Sequence, residues 1–159
     1  MSGLIQARNL QRAAAGDVRQ RRAAVEAFAR VWHTEIRSHF DDEERLLLPL
    51  TERPELRSRL LAEHGVLREL AEQCAREPEA SASDETMMRR LGCLLHDHIR
   101  WEERVFFESI QRDHPEELAH LLHEADRIER LRPGARPRHT LGSRAGSGPE
   151  REKADEHGS

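Results

Sequence analysis

The chain has 159 residues, 35% charged and 36% apolar, with a formal net charge of −4. That length suits a single domain with one real core, and no run approaches the ~20 apolar residues that span a bilayer. Residues 1–131 carry 20 arginines against 26 acids, which speaks against a nucleic-acid-binding body, whose footprint is a basic patch. No basic segment leads into an apolar one at the start, so no secretory signal is expected. Two cysteines, Cys74 and Cys93, are too few for a disulfide framework and suit a reducing, cytoplasmic setting. Ten histidines beside no tyrosine at all make histidine the informative residue.

In chain order, apolar residues recur at three and four, the helical period, and no segment alternates at period two. The pattern predicts a short helix from about Leu4 to Ala15 and a long one from about Asp17 to Leu48. A third runs from about Pro54 to Arg76, with Pro54 suited to a first turn. A break at Glu77 to Ser83 precedes a fourth helix, from a cap at Asp84 to about Gln111. A fifth spans about Pro115 to Leu131. Short connections between long helices favour antiparallel neighbours, so the expected fold is an all-α, up-and-down four-helix bundle with a short additional C-terminal helix. Residues 1–131 form the domain, with its chemistry in about 2–112. Residues 132–159, rich in Pro, Gly, Ser, Arg and Glu, are expected to be a disordered tail.

Marking the inward face of each helix places the histidines. The second helix gives Val25, Phe28, Trp32, Ile36, His39, Glu43, Leu46 and Leu50. The third gives Leu56, Leu60, His64, Leu67, Ala71 and Cys74. The fourth gives Met88, Leu91, Leu95, His98, Glu102 and Val105. Three helices therefore send three imidazoles and two carboxylates toward one axis. Burying two carboxylates without counter-charge is expensive, several kcal/mol per ion, and no basic residue lies in phase on these stripes. A metal would resolve that cost, with His39, Glu43, His64, His98 and Glu102 as ligands. Mixed N and O donors suit iron, manganese or zinc rather than calcium. Of the other histidines, His33, His96, His120 and His123 fall off the stripes, His114 sits in a loop, and His139 and His157 lie in the tail; all read as solvated.

The segments His39-Phe-Asp-Asp-Glu43-Glu44, His64-Gly-Val-Leu-Arg68 and His98-Ile-Arg-Trp-Glu102-Glu103 resemble the hemerythrin-like, or HHE cation-binding, domain. The doubled motif continues into Glu43-Glu44-Arg-Leu-Leu-Leu-Pro49 and Glu102-Glu103-Arg-Val-Phe-Phe107. The resemblance covers about residues 2–112. It implies a non-haem di-iron centre in which Glu43 and Glu102 bridge two irons, His64 and His98 cap one, and His39 serves the other. Relatives of that kind bind oxygen, store or sense iron, or respond to nitric oxide and peroxide. Two departures stand out: no histidine precedes His33, where the family supplies one from its first helix, and position 68, a second histidine in some members, is Arg68.

The leading expectation is thus a metal-binding module for a small molecule such as oxygen, nitric oxide or peroxide, rather than an enzyme. No membrane or nucleic acid is implied, and no protein partner is identified. Two alternatives stand beside it: a metal-free or one-metal bundle acting as a structural or interaction protein, and a di-iron enzyme acting on peroxide or nitric oxide. Ferritin-like chemistry fits less well, because that class uses Glu-x-x-His, three apart and in the opposite order.

Overall fold

The computed structural model describes residues 2–131, with side chains through residue 126; the expected tail, including His139 and His157, lies outside the described residues. Within them every element is helical, and no strand occurs. Helix α1 is Ser2–Ala14. Asp17 then opens α2 with a capping box: its carboxylate accepts from the Gln20 backbone N–H, and the Gln20 side chain accepts from the Asp17 N–H, both at 2.9 Å. Helix α2 covers residues 18–47, and its α-helical turns are interrupted by π turns at Trp32–Ile36 and Glu43–Leu47.

Pro49 closes α2 in a 3-10 turn, Leu48–Leu50. There the Arg57 guanidinium donates to the Leu48 carbonyl at 2.7 Å, serving an orphan acceptor of the helix end. Helix α3, Pro54–Arg76, carries its proline in the first turn as expected. A short α4, Pro78–Ser83, occupies what the sequence pattern predicts as a break. Helix α5 covers residues 85–113, capped by Asp84, whose carboxylate accepts from the Met87 N–H at 2.9 Å, and it contains a third π turn at Glu102–Phe106. Helix α6, Pro115–Leu131, packs on the end of α5.

Helix α1 packs along α5 and on α2, α2 packs on α3 and α4, and α3 packs on α5. The α1–α5 contact is close because Gly92 has no side chain: a Cβ there would lie 2.8 Å from the Ala7 carbonyl oxygen. The apolar interior falls into two clusters. One gathers Leu10, Phe28, Trp32, Phe40, Leu67 and Leu95 among others; the second gathers Leu47, Leu56, Leu60, Trp101, Phe106 and Ile110. No helix among the described residues is long and apolar enough to cross a membrane.

The π turns correct the inward faces read from a regular helix. Each such turn accommodates one extra residue, which moves the inward place by one at Phe40, Leu47 and Phe106 and leaves Glu43 and Glu102 where the regular period puts them. On α2, Phe40 is buried where His39 was expected, and Leu47 where Leu46 was. On α5, Phe106 is buried and Val105 is exposed, the reverse of the regular pattern. Helix α3 has no π turn, and its expected stripe, Leu56, Leu60, His64, Leu67, Ala71 and Cys74, is buried throughout.

Candidate metal centre

Between the two apolar clusters lies a layer of buried polar side chains: Glu43 from α2, His64 from α3, and His98 and Glu102 from α5. Each sits mid-helix, where the backbone is held on both sides. Each offers one ligand atom, and the four atoms all lie within 4.8 Å of one another. His64 Nε2 is 3.0 Å from His98 Nε2, 3.4 Å from a Glu43 oxygen and 3.6 Å from a Glu102 oxygen. His98 Nε2 is 2.9 Å from that Glu102 oxygen. Two of the three π turns begin at the cluster's own carboxylates, Glu43 and Glu102.

The fifth expected residue, His39, stands at the rim. Its side chain is 51% exposed, yet its Nε2 reaches to 2.9 Å from Glu43 Oε1. The extra residue of the Trp32–Ile36 turn gives the interior position to Phe40. Phe40 lies flat on the His64 ring, centroids 4.0 Å apart and 6° from parallel, and meets the His98 ring edge-on at 5.4 Å. Trp32, Leu67, Leu95 and Trp101 are all buried. Among the remaining histidines, His33, His120 and His123 are exposed, and His96 and His114 are partly so.

Both buried imidazoles have their outer nitrogen committed. His64 Nδ1 lies 2.8 Å from Glu44 Oε1, and His98 Nδ1 lies 2.7 Å from Glu63 Oε2. A carboxylate only accepts, so each Nδ1 carries the hydrogen, and in a neutral ring the lone pair then sits on Nε2. Two such lone pairs face each other across 3.0 Å. They repel unless a cation lies between them, either a metal or a proton on one ring. Around them, both oxygens of Glu43 and one of Glu102 are buried with no aligned hydrogen-bond donor and only the imidazole nitrogens of His39, His64 and His98 near them, an expensive arrangement for an anion while those rings are neutral. The donor set therefore fits a metal. Around a single ion with bonds near 2.0–2.2 Å, neighbouring donors stand roughly 3.4 Å apart, and the distances here scatter about that figure.

Without a metal, protons take its place. Burial pushes the Glu43 carboxyl up, but the imidazoles of His39 and His64 outweigh it and bring the group down to about 2. Burial likewise pushes His64 down, and the carboxylates of Glu102, Glu43 and Glu44 outweigh it, raising the ring to about 9. Contact with Glu43 also raises His39. Cys74, in phase with α3, is buried, and burial pushes its thiol up to about 11, which makes it a core residue rather than a nucleophile.

Reading the sequence missed Glu44, Glu63, Arg59 and Arg68. The inward-stripe test discards them because they flank the buried face, and only the partner helix reveals what they touch. Arg68 was visible as a departure from the family pattern; here it grips Glu44 at 2.6 Å and Asp41 at 2.8 Å. The doubled Glu-Glu pairs also prove unequal. Glu44 reaches a cluster histidine, whereas Glu103 pairs with Arg100 at 2.8 Å. Compared with family models, with curated proteins and with solved structures, the chain matches none.

Proposed function

We propose that this chain is a non-haem iron protein of the hemerythrin-like kind, its helices forming an up-and-down four-helix bundle around a carboxylate-bridged metal site. In this reading the site binds or senses a small molecule such as oxygen or nitric oxide. The observation that carries the metal reading is the pair of Nε2 atoms 3.0 Å apart with both Nδ1 atoms already committed, ringed by orphaned carboxylate oxygens. His64, His98, Glu43 and Glu102 would hold the first ion. His39, with the Glu43 oxygen it touches, would serve a second, and Glu43 and Glu102 would bridge the two. Iron suits this mixed imidazole and carboxylate set, with manganese and zinc the nearest competitors. A bound iron would supply an electrophilic centre; His64, His98, Glu43 and Glu102 would hold it, and Phe40, Trp32, Leu67 and Leu95, all buried, would exclude water around it.

The two half-sites are unequal, since the second has one partly exposed imidazole. Titration of the metal-free protein with Fe(II) under argon is expected to show one tight ion per chain and a second, weaker one. Changing His39 to alanine is expected to remove the second and leave the first. Loss of both on that change, or no uptake by the wild type, contradicts the assignment.

A second reading has its own support. With His64 raised to about 9 and Glu43 lowered to about 2, a proton can hold the cluster together without metal. The chain would then be a structural or partner-binding bundle. The same titration separates the two readings, because this one expects no saturable uptake.

A further inference from the structure

Helix α3 carries more than its one candidate ligand, His64. Arg59 Nε donates to Glu63 Oε1 at 2.6 Å, and the other oxygen of Glu63 accepts from His98 Nδ1 at 2.7 Å. Five residues along from Glu63, Arg68 Nη1 donates to Glu44 Oε1 at 2.6 Å, and that oxygen also takes the His64 Nδ1 hydrogen at 2.8 Å. Each arginine also lies over an aromatic ring: Arg59 over Trp101 at 4.5 Å, and Arg68 over Phe40 at 5.8 Å. Two arginine–glutamate–histidine chains thus run from the surface of α3 into the centre, one to each buried imidazole. In both, an arginine fixes a carboxylate and the carboxylate fixes a ring.

We infer that Glu44 and Glu63, anchored by Arg68 and Arg59, are positioning residues that hold His64 and His98 in the Nδ1–H form and aim both Nε2 atoms at a common metal. The inference rests on the metal reading given above and adds residues to it. The physical reason is general: a carboxylate on the far nitrogen fixes the tautomer, restrains the ring against rotation about its bond to the chain, and makes the near nitrogen a better donor. Arg68 stands where a further histidine would have offered another donor, and it strengthens an existing ligand instead. The two chains are not interchangeable. Asp41 supports Arg68 from α2, whereas Arg59 and Glu63 pair within α3 itself, four residues apart.

The test uses the full-length protein, Co(II) as the probe, and the changes Glu44→Ala, Glu63→Ala, Glu44→Gln and Glu63→Gln. Co(II) affinity is read by competition with a chelator, and the visible d–d bands report the donors around the ion. Nitrogen-15 spectra of the imidazoles report which ring nitrogen carries hydrogen. Each alanine variant is expected to keep the helical circular dichroism, to lose about 10- to 100-fold in Co(II) affinity, and to show hydrogen shared between both nitrogens of the affected ring. Glutamine, whose carbonyl still accepts from Nδ1–H, is expected to restore the Nδ1–H signature and part of the affinity. Alanine variants that bind Co(II) within twofold of a wild type that binds it well would overturn the positioning role and leave the metal reading intact. A wild type that takes up no Co(II) overturns both.

Discussion

A single buried carboxylate shows why the centre needs a cation. Glu102 is 2% exposed, and its oxygen 2.9 Å from His98 Nε2 receives no hydrogen bond while that ring carries its hydrogen on Nδ1. Replacing it with glutamine removes a ligand, and also the carboxylate that does most to favour the protonated His64 ring in the metal-free protein. Metal-free Glu102→Gln is therefore expected to be less stable than the wild type near neutral pH, by up to about 3 kcal/mol, because one partner of a buried pair is gone, while metal affinity falls at least tenfold. A variant that keeps its metal contradicts the ligand role. The pH dependence of the metal-free protein follows from its neighbours. His64 is raised from 6.5 to about 9, so its stabilising charge is fully present below pH 6.5 and is lost as pH rises through about 9. Glu43 is lowered from 4.5 to about 2, so its contribution is present above pH 4.5 and is lost as pH falls toward 2. Thermal melts in a chelator are expected to be highest between about pH 4.5 and 6.5, and changing His64 to leucine is expected to shrink the alkaline decline to the part that His39, also raised by Glu43, contributes.

At the scale of the helix, the site depends on irregular turns that the sequence does not announce. Helix α3 was legible because its spacing is regular from Leu56 to Cys74, and every expected inward residue is buried. His98 and Glu102 were legible because they precede or open the π turn of α5, so the regular period still holds as far as they go. His39 was misplaced on the face because the π turn at Trp32–Ile36 lies between it and the residues that set the phase. Nothing in the composition of Trp-His-Thr-Glu-Ile marks a π turn; the burial of Phe40 against His64 rewards it only once the helices are packed. Glu44 and Glu63 were illegible for a related reason, since their partners lie on other helices. Deleting Val105, an exposed residue in the Glu102–Phe106 turn, removes the extra residue, so that Phe106 takes the inward place three residues after Glu102 in a regular helix and the core stays filled. Circular dichroism and the melting temperature are expected to stay close to the wild type, while metal uptake falls because the backbone that carries Glu102 has changed. Uptake at wild-type affinity would show that the π turn is incidental to the site.

Across the whole molecule, the polar layer divides what would otherwise be one apolar interior. Leu67, Phe40 and Leu95 lie to one side, and Leu60, Leu47 and Phe106 to the other, with Glu43, His64, His98 and Glu102 between them. A metal bound there would tie α2, α3 and α5 together across that layer, and its binding free energy would add directly to folding. The helical class and the order of the long helices were readable from apolar spacing and from the breaks at Gly16, Pro49 and Pro115. The short α4 was not, because Pro78-Glu-Ala-Ser-Ala-Ser reads locally as a loop and becomes a helix only where Ala82 and Ser81 are buried against the rest. The most direct measurement is the metal content per chain of the full-length protein from iron-supplemented cells, by elemental analysis, before and after reconstitution with Fe(II). At least one iron per chain in the wild type, and almost none when His64 and His98 are both alanine, is the expected result. A folded wild type that carries no metal and takes up none on reconstitution would contradict the account at its centre.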